Sequence, residues 1–175
     1  VDLAAFQRLV FPSDQKIINN WLLQFGLYGM ETLGLLIKLN QAISNQFRYQ
    51  VREEPGVQSP AQTLAQRSGS CRDYATLFIE ACRCLGLAGR FVSGYLHAPE
   101  TEAGNASTHA WAEIYLPGTG WKGFDPTSGV VTSSQHIAVA VARDPEAVPP
   151  VSGSFTGLGD ATPTMRVNVQ VNLLA

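Results

Sequence analysis

The chain has 175 residues and a formal charge of −2, with 45% apolar and 15% charged side chains. That balance suits one globular domain with a sizeable core and excludes a disordered chain. It also lacks the basic run that would drive binding to nucleic acid or an anionic membrane, and any apolar run of the ~20 residues needed to span a bilayer. Three cysteines, Cys71, Cys82 and Cys84, form an odd set without zinc-type spacing. Cys82 and Cys84 fall on opposite sides of one helix and read as small core-filling residues. No structural disulfide, metal or cofactor is expected, and the compartment reads as reducing and cytoplasmic. The chain opens at Val1 with no initiator Met and no signal peptide, so it reads as a domain excised from a longer protein.

The elements follow in chain order. Residues 3–11 form a short helix before Pro12. Ser13 caps a second helix over 14–25, with Ile17, Ile18, Trp21, Leu22 and Phe25 on one face. After an interruption by Gly26, Gly29 and Gly34, Leu35, Leu36, Leu39 and Ile43 mark a helix over 31–46. Residues 47–51 alternate as a short strand, 53–57 turn, and Ser59-Pro60 opens a two-turn helix over 60–67. The helix from Cys71 carries Ala75, Phe78, Ile79 and Cys82 at helical spacing. Gly86 and Gly89 bracket its end. Strands follow over 91–97 and 108–116, with a mobile loop, Ala98 to Ser107, between them. Ala110, Ala112, Ile114 and Leu116 face one way; His109, Trp111, Glu113 and Tyr115 face the other. Pro117 to Gly120 is a hairpin turn, and Trp121 to Asp125 is the returning strand. That turn sets Leu116 near Trp121 and Ala112 near Asp125. Further strands are expected over 136–142 and 165–173, with an irregular stretch over 144–163. Helices first and antiparallel strands after make the class α+β.

The turn Ser68-Gly69-Ser70 delivers Cys71 to the first position of its helix, with Ser70 as N-cap and the Asp73 carboxylate in the first turn. Unpaired backbone N–H groups there favour a thiolate and can hold an oxyanion. His109 stands at the start of one strand. Asp125 stands at the end of the strand the hairpin brings back beside it, within a residue or three of His109. A slight stagger would put its carboxylate on the imidazole. Nucleophile, base and orienter are the three parts an acyl transfer needs. Each has a plainer reading taken singly: packing at a helix start, a structural His beside a Trp, and an Asp-Pro strand end. Gln66, shortly before the Cys, is a candidate oxyanion donor, and Trp111 and Tyr95 are candidate cleft residues. Glu113 reads as a satisfied polar side chain or an acceptor near His109. His97 and His136 have no partner in this reading.

The segments Gly69–Ala75 (GSCRDYA), Ala88–Leu96 (AGRFVSGYL), Thr108–Pro117 (THAWAEIYLP) and Gly120–Ser128 (GWKGFDPTS) resemble the core of the transglutaminase-like superfamily, and within it the bacterial transglutaminase-like cysteine peptidase group. Cys, His and Asp in that chain order, with Trp two residues after the His and Asp-Pro closing the next strand, carry the resemblance. Gln135–Asp144 extends it. The resemblance covers Ser59 to the C-terminus and implies a papain-like α+β fold in which the Cys helix packs on an antiparallel sheet. It makes residues 1–175 one catalytic domain, with a helical part over 1–58 and the core over 59–175. In such proteins Cys71 is the nucleophile, His109 the base and Asp125 the orienter. Relatives often carry an acidic residue in place of Ser70, an aromatic in place of Pro145, and a β-rich domain before the helices.

The implied activity is thiol-dependent cleavage or exchange of amide bonds in a peptide or protein substrate, through a thioester. Hydrolysis is favoured because animal transglutaminases with this core use calcium, and no EF-hand-type acidic loop is present here. The alternatives are a transglutaminase with an amine acceptor, a silent protein-binding domain of the same fold, and a metal site made from Cys71, His109 and Asp125.

Overall fold

A computed structural model describes residues 2–26, 29–52, 54–97 and 107–154, with the isolated positions 156, 169 and 171. The expected strand over 165–173 and the loop from Ala98 to its last residue before Ser107 lie outside the described residues.

Helix α1 (Ala4–Gln7) is shorter than expected and ends where Arg8 turns extended. Helix α2 (Gln15–Leu22) follows a single 3₁₀ turn, Pro12–Asp14, and ends in another, Leu23–Phe25. Ser13 does not cap it: the Ser13 hydroxyl donates to Asp14 Oδ1, while Asp14 Oδ2 accepts the Ala61 N–H at 2.9 Å. Asp14 therefore serves the start of the distant helix α4 (Pro60–Gln66). The Ser59 hydroxyl also accepts the Gln62 N–H there, and Gln62 Oε1 accepts the Ser59 N–H. Ile18, Trp21, Leu22 and Phe25 are buried as the helical spacing requires, but Ile17 is 47% exposed. Helix α3 (Thr32–Gln46) buries Leu35, Leu36, Leu39 and Ile43. The following strand shrinks to β1 (Arg48–Tyr49), which pairs in parallel with β2 (Ser68–Gly69).

Helix α5 (Cys71–Cys84) runs through the middle of the molecule. Its Leu77, Phe78, Ile79 and Cys82 join Ile18, Leu36, Leu39 and Ile43 of the helices and Phe91, Ala112, Ile114 and Phe124 of the sheet in one hydrophobic core. Cys82 is fully buried, and burial pushes its thiol well above the ordinary range. The helical residues and the later core are thus two sides of one packed interior.

The sheet, order β6-β5-β4-β3-β7, is antiparallel throughout: β3 (Gly89–Leu96), β4 (Ser107–Leu116), β5 (Gly120–Asp125), β6 (Val130–Val131) and β7 (His136–Ala142). Helices α3 and α5 packed against such a sheet make the fold α+β, as expected. Ala110, Ala112 and Ile114 belong to the core shared with α5, leaving His109 and Trp111 for the opposite face. The outer strands β6 and β7 are consecutive in sequence. Val131 to His136 can reach at most about 18 Å, whereas flat packing would set the outer strands of five about 19 Å apart. Part of that connection is a turn, closed by the His136 N–H donating to the Ser133 carbonyl. The sheet must therefore curl its two edges towards each other.

Candidate active site

The hairpin decides which face Asp125 occupies. Leu116 pairs with Gly120 and Ala112 with Phe124, one residue away from the register expected from sequence. Gly118 and Gly120 both take positive φ, so the loop closes over three residues rather than four. In the expected register Asp125 would share a face with Ala112, against α5. In the actual one it stands opposite Trp111, on the face of His109 and diagonal to it.

There His109 Nε2 and Asp125 Oδ2 lie 2.9 Å apart. Asp125 is fully buried and takes three further donors: Ser128 Oγ at 2.7 Å and His136 Nε2 at 3.3 Å on Oδ2, and the Thr127 N–H at 2.9 Å on Oδ1. Burial alone would raise this carboxyl. Hydrogen bonds from His109 and His136, and the charge of His109, outweigh it and hold Asp125 well below the usual carboxylate range. Burial likewise lowers His109, but its hydrogen bond to Asp125 and the neighbouring Cys71 overcome that and raise it to about 9. With Nε2 committed to Asp125, Nδ1 is the nitrogen left for the thiol.

Cys71 is the first residue of α5, and Asp73 fixes its turn. The Asp73 carboxylate, fully buried, accepts the Ser70 N–H and hydroxyl on Oδ2, and the Gln58 N–H and Arg52 guanidinium on Oδ1. Asp73 is thus a buried organiser of the Cys71 turn rather than a simple helix-end charge. The first backbone N–H groups of α5 have no helical acceptor and face the thiol's surroundings. Tyr49, carried alongside by the β1–β2 pair, is close enough to Cys71 for the two to affect each other's charge. Burial first, and then Cys71, push the Tyr49 phenol up to about 12, so it remains an O–H donor. A groove of about 640 Å³ opens beside Ser70 and Arg72, walled by Arg52, Glu146 and the Pro149–Gly153 stretch.

The other residues singled out from sequence fall elsewhere. Gln66 is exposed at the end of α4, where its Oε1 accepts from Gln58 Nε2, so it is tied to Gln58 rather than to the thiol. Trp111 is 2% exposed and lies beneath the two histidines, edge-on to His136 and tilted beside His109, as floor rather than cleft wall. Tyr95 lines a separate cavity of about 70 Å³ with Ser93, Thr108 and Pro149-Pro150. Glu113 accepts from Arg90 Nε at 2.6 Å and is satisfied there. Tyr49, Ser128 and His136 are the residues sequence reasoning missed. Ser128 and His136 lie within segments that carry the resemblance and Tyr49 within an alternating stretch, but no signal joined them to Cys71, His109 and Asp125.

His109, Asp125 and His136 bring three ligand-type atoms within 4.8 Å of one another, the one such cluster among the described residues. They do not suit a cation. His136 Nδ1 accepts the Ser133 N–H at 3.2 Å, which places the ring proton on Nε2, facing Asp125. A metal at Nε2 would drive that proton onto Nδ1, against the Ser133 N–H.

Known proteins agree with this architecture. Similar proteins include an uncharacterised protein of Mycobacterium leprae, 37% identical over 122 residues, which are 67% of this chain and 42% of that protein. A candidate cysteine protease of known structure from Cytophaga hutchinsonii superposes with a TM-score of 0.67 and 26% identity, over 82% of this chain and 47% of the other. The periplasmic domain of TgpA from Pseudomonas aeruginosa shares the fold at a TM-score of 0.55 and 23% identity, over 74% and 49%. The chain thus spans less than half the length of each. A family model for the transglutaminase-like superfamily matches residues 30–126, more than half the chain and the whole stretch that supplies Cys71, His109 and Asp125: the chain belongs to the transglutaminase-like superfamily.

Proposed function

We propose that the domain is a thiol acyl-transfer enzyme acting on amide bonds of peptide or protein substrates, with Cys71 as nucleophile, His109 as base and acid, and Asp125 as the group that holds His109. The observation that carries this reading is the buried His109–Asp125 pair, 2.9 Å apart, next to Cys71 at the N-terminus of α5. Cys71 Sγ attacks the carbonyl carbon, its proton having passed to His109 Nδ1. The resulting imidazolium gives that proton to the leaving amine, and a thioester remains. Water, deprotonated by His109, then attacks the thioester carbon; the acid is released and the thiol restored. The Cys71 N–H and the Tyr49 O–H supply two donors for the oxyanion. The likeness to a candidate cysteine protease supports water rather than an amine as acceptor.

Incubation with a mixed peptide pool, followed by mass spectrometry, tests the reading. New peptide termini are expected with the wild-type protein and none with Cys71→Ala. Incorporation of a fluorescent primary amine in place of new termini would assign transamidation, and turnover by Cys71→Ala would overturn the nucleophile. Tyr49→Phe removes one oxyanion donor and is expected to lower kcat by about a hundredfold with little change in KM; an unchanged kcat would remove Tyr49 from the oxyanion site.

A further inference from the structure

His136 has no part in the three-residue scheme, yet two features of the chain place it there. The first is a bulge. The β3–β7 pairing shifts by one residue between Ser93 and Gly94, so that Ser93 pairs with Ala140 but Gly94 with Ala138. In an unshifted ladder His136 would alternate onto the opposite face; the extra residue turns it onto the face of His109. The bulge requires Gly94. A Cβ there would sit 2.1 Å from the Ile137 carbonyl oxygen and 2.8 Å from the Trp111 ring. The second feature is the curl of the sheet, which carries the start of β7 across to the end of β5. The His136 side chain is 4% exposed and packs edge-on against Trp111.

Both ring nitrogens of His136 are then spoken for in a fixed sense. Nδ1 accepts the Ser133 N–H, and Nε2–H donates to the same Asp125 oxygen that receives His109 and Ser128. We infer that His136 is a second positioning residue for the acyl transfer: a neutral imidazole of fixed tautomer that, with Ser128, pins Asp125 Oδ2 in the orientation that aligns His109 with Cys71. This rests on the acyl-transfer reading of the site. Without His136, Oδ2 keeps Ser128 and His109, but the carboxylate gains freedom to rotate and the imidazole follows it. The same donor on a Gln side chain, whose amide nitrogen reaches a similar position to His Nε2, keeps that restraint.

Two measurements on the full chain test this. Nitrogen-15 NMR of the wild-type imidazoles at neutral pH is expected to show His136 with Nε2 protonated and Nδ1 bare. The opposite tautomer would overturn the proposal. Alkylation of Cys71 by iodoacetamide, followed by mass spectrometry, is expected to slow about tenfold in His136→Ala, the scale of one hydrogen bond to a charged group, and to recover most of its rate in His136→Gln. His109→Ala is the reference. If it leaves alkylation unchanged, the acyl-transfer reading fails with everything built on it. If it slows alkylation while His136→Ala and His136→Gln both match the wild type, only the role of His136 fails. Equal losses in the Ala and Gln variants would mark His136 as packing and overturn its donor role. Should the Ala variant not fold, the Gln variant and the tautomer decide.

Discussion

Asp125→Asn lowers kcat by about 10³- to 10⁴-fold, a loss far larger than its effect on folding. Asp125 meets only donors: His109, His136 and Ser128 on one oxygen and the Thr127 N–H on the other. An amide offers one acceptor oxygen and an NH₂ group. If the NH₂ faces His109, the imidazole turns Nε2 into an acceptor and moves its proton to Nδ1, facing Cys71, where it can no longer take the thiol proton. The effect is read in kcat and in the titration of His109 by NMR. In the wild type His109 is raised from its ordinary 6.5 to about 9, because its hydrogen bond to Asp125 and the neighbouring Cys71 outweigh burial. A raised group stabilises the fold fully below its unfolded value and loses that contribution as pH rises through its folded value. Asp125 is depressed, so its contribution is present above the ordinary carboxylate value and lost as pH falls. The stability gap between wild type and Asp125→Asn is therefore widest between about pH 4 and 6.5 and narrows as pH rises through about 9. A gap independent of pH, with kcat unchanged, would disprove the coupling.

Glu80→Ala destabilises the domain by about 3–5 kcal/mol, measured by urea denaturation. Glu80 and Arg83 sit one turn apart on α5, each with 1% of its side chain exposed, and bond at 2.7 Å. Glu80 also accepts the N–H groups of Val10 and Phe11, while Arg83 donates to the carbonyls of Phe6, Gly89 and Arg143. The pair thus ties the N-terminal segment, the central helix and two strand ends together. Truncating Glu80 strands a buried guanidinium and two backbone donors at once. Glu80→Gln retains an acceptor and costs less. A loss below about 1 kcal/mol for the Ala variant, the range of ordinary exposed ion pairs, would mean that water reaches the guanidinium.

Periodicity in the sequence was enough to place α3, α5, β4 and the capped start of α4, because each is a local pattern of apolar or capping residues. Cys71, His109 and Asp125 were visible for the same reason: each marks the edge of an element. Their alignment was not. With glycine at both 118 and 120, two loop lengths are open to the hairpin, and the choice between them moves Asp125 from one face of the sheet to the other. His136 lies in a segment that extends the resemblance, but its place beside Asp125 was beyond reach of any local pattern. Its place depends on β7 pairing with β3 instead of its sequence neighbour β6, on a one-residue bulge at Gly94, and on the curl that closes the sheet. Ser13 shows the converse error: a good local cap signal gave way to Asp14, which bonds across to α4.

The curled sheet also divides the site by how it must assemble. Asp125 draws its side-chain donors from within 16 residues on either side, through a hairpin and a short crossing. The His109–Asp125 contact, set by one hairpin, costs little loop entropy, whereas His136 arrives only once β7 has paired with β3. Cys71 arrives separately, on a helix whose docking against β4 requires the long-range core to close. The His109–Asp125–His136 cluster is therefore held within the sheet, and Cys71 joins it only when α5 seats. A thiol that reacts at its native rate becomes a gauge of tertiary closure.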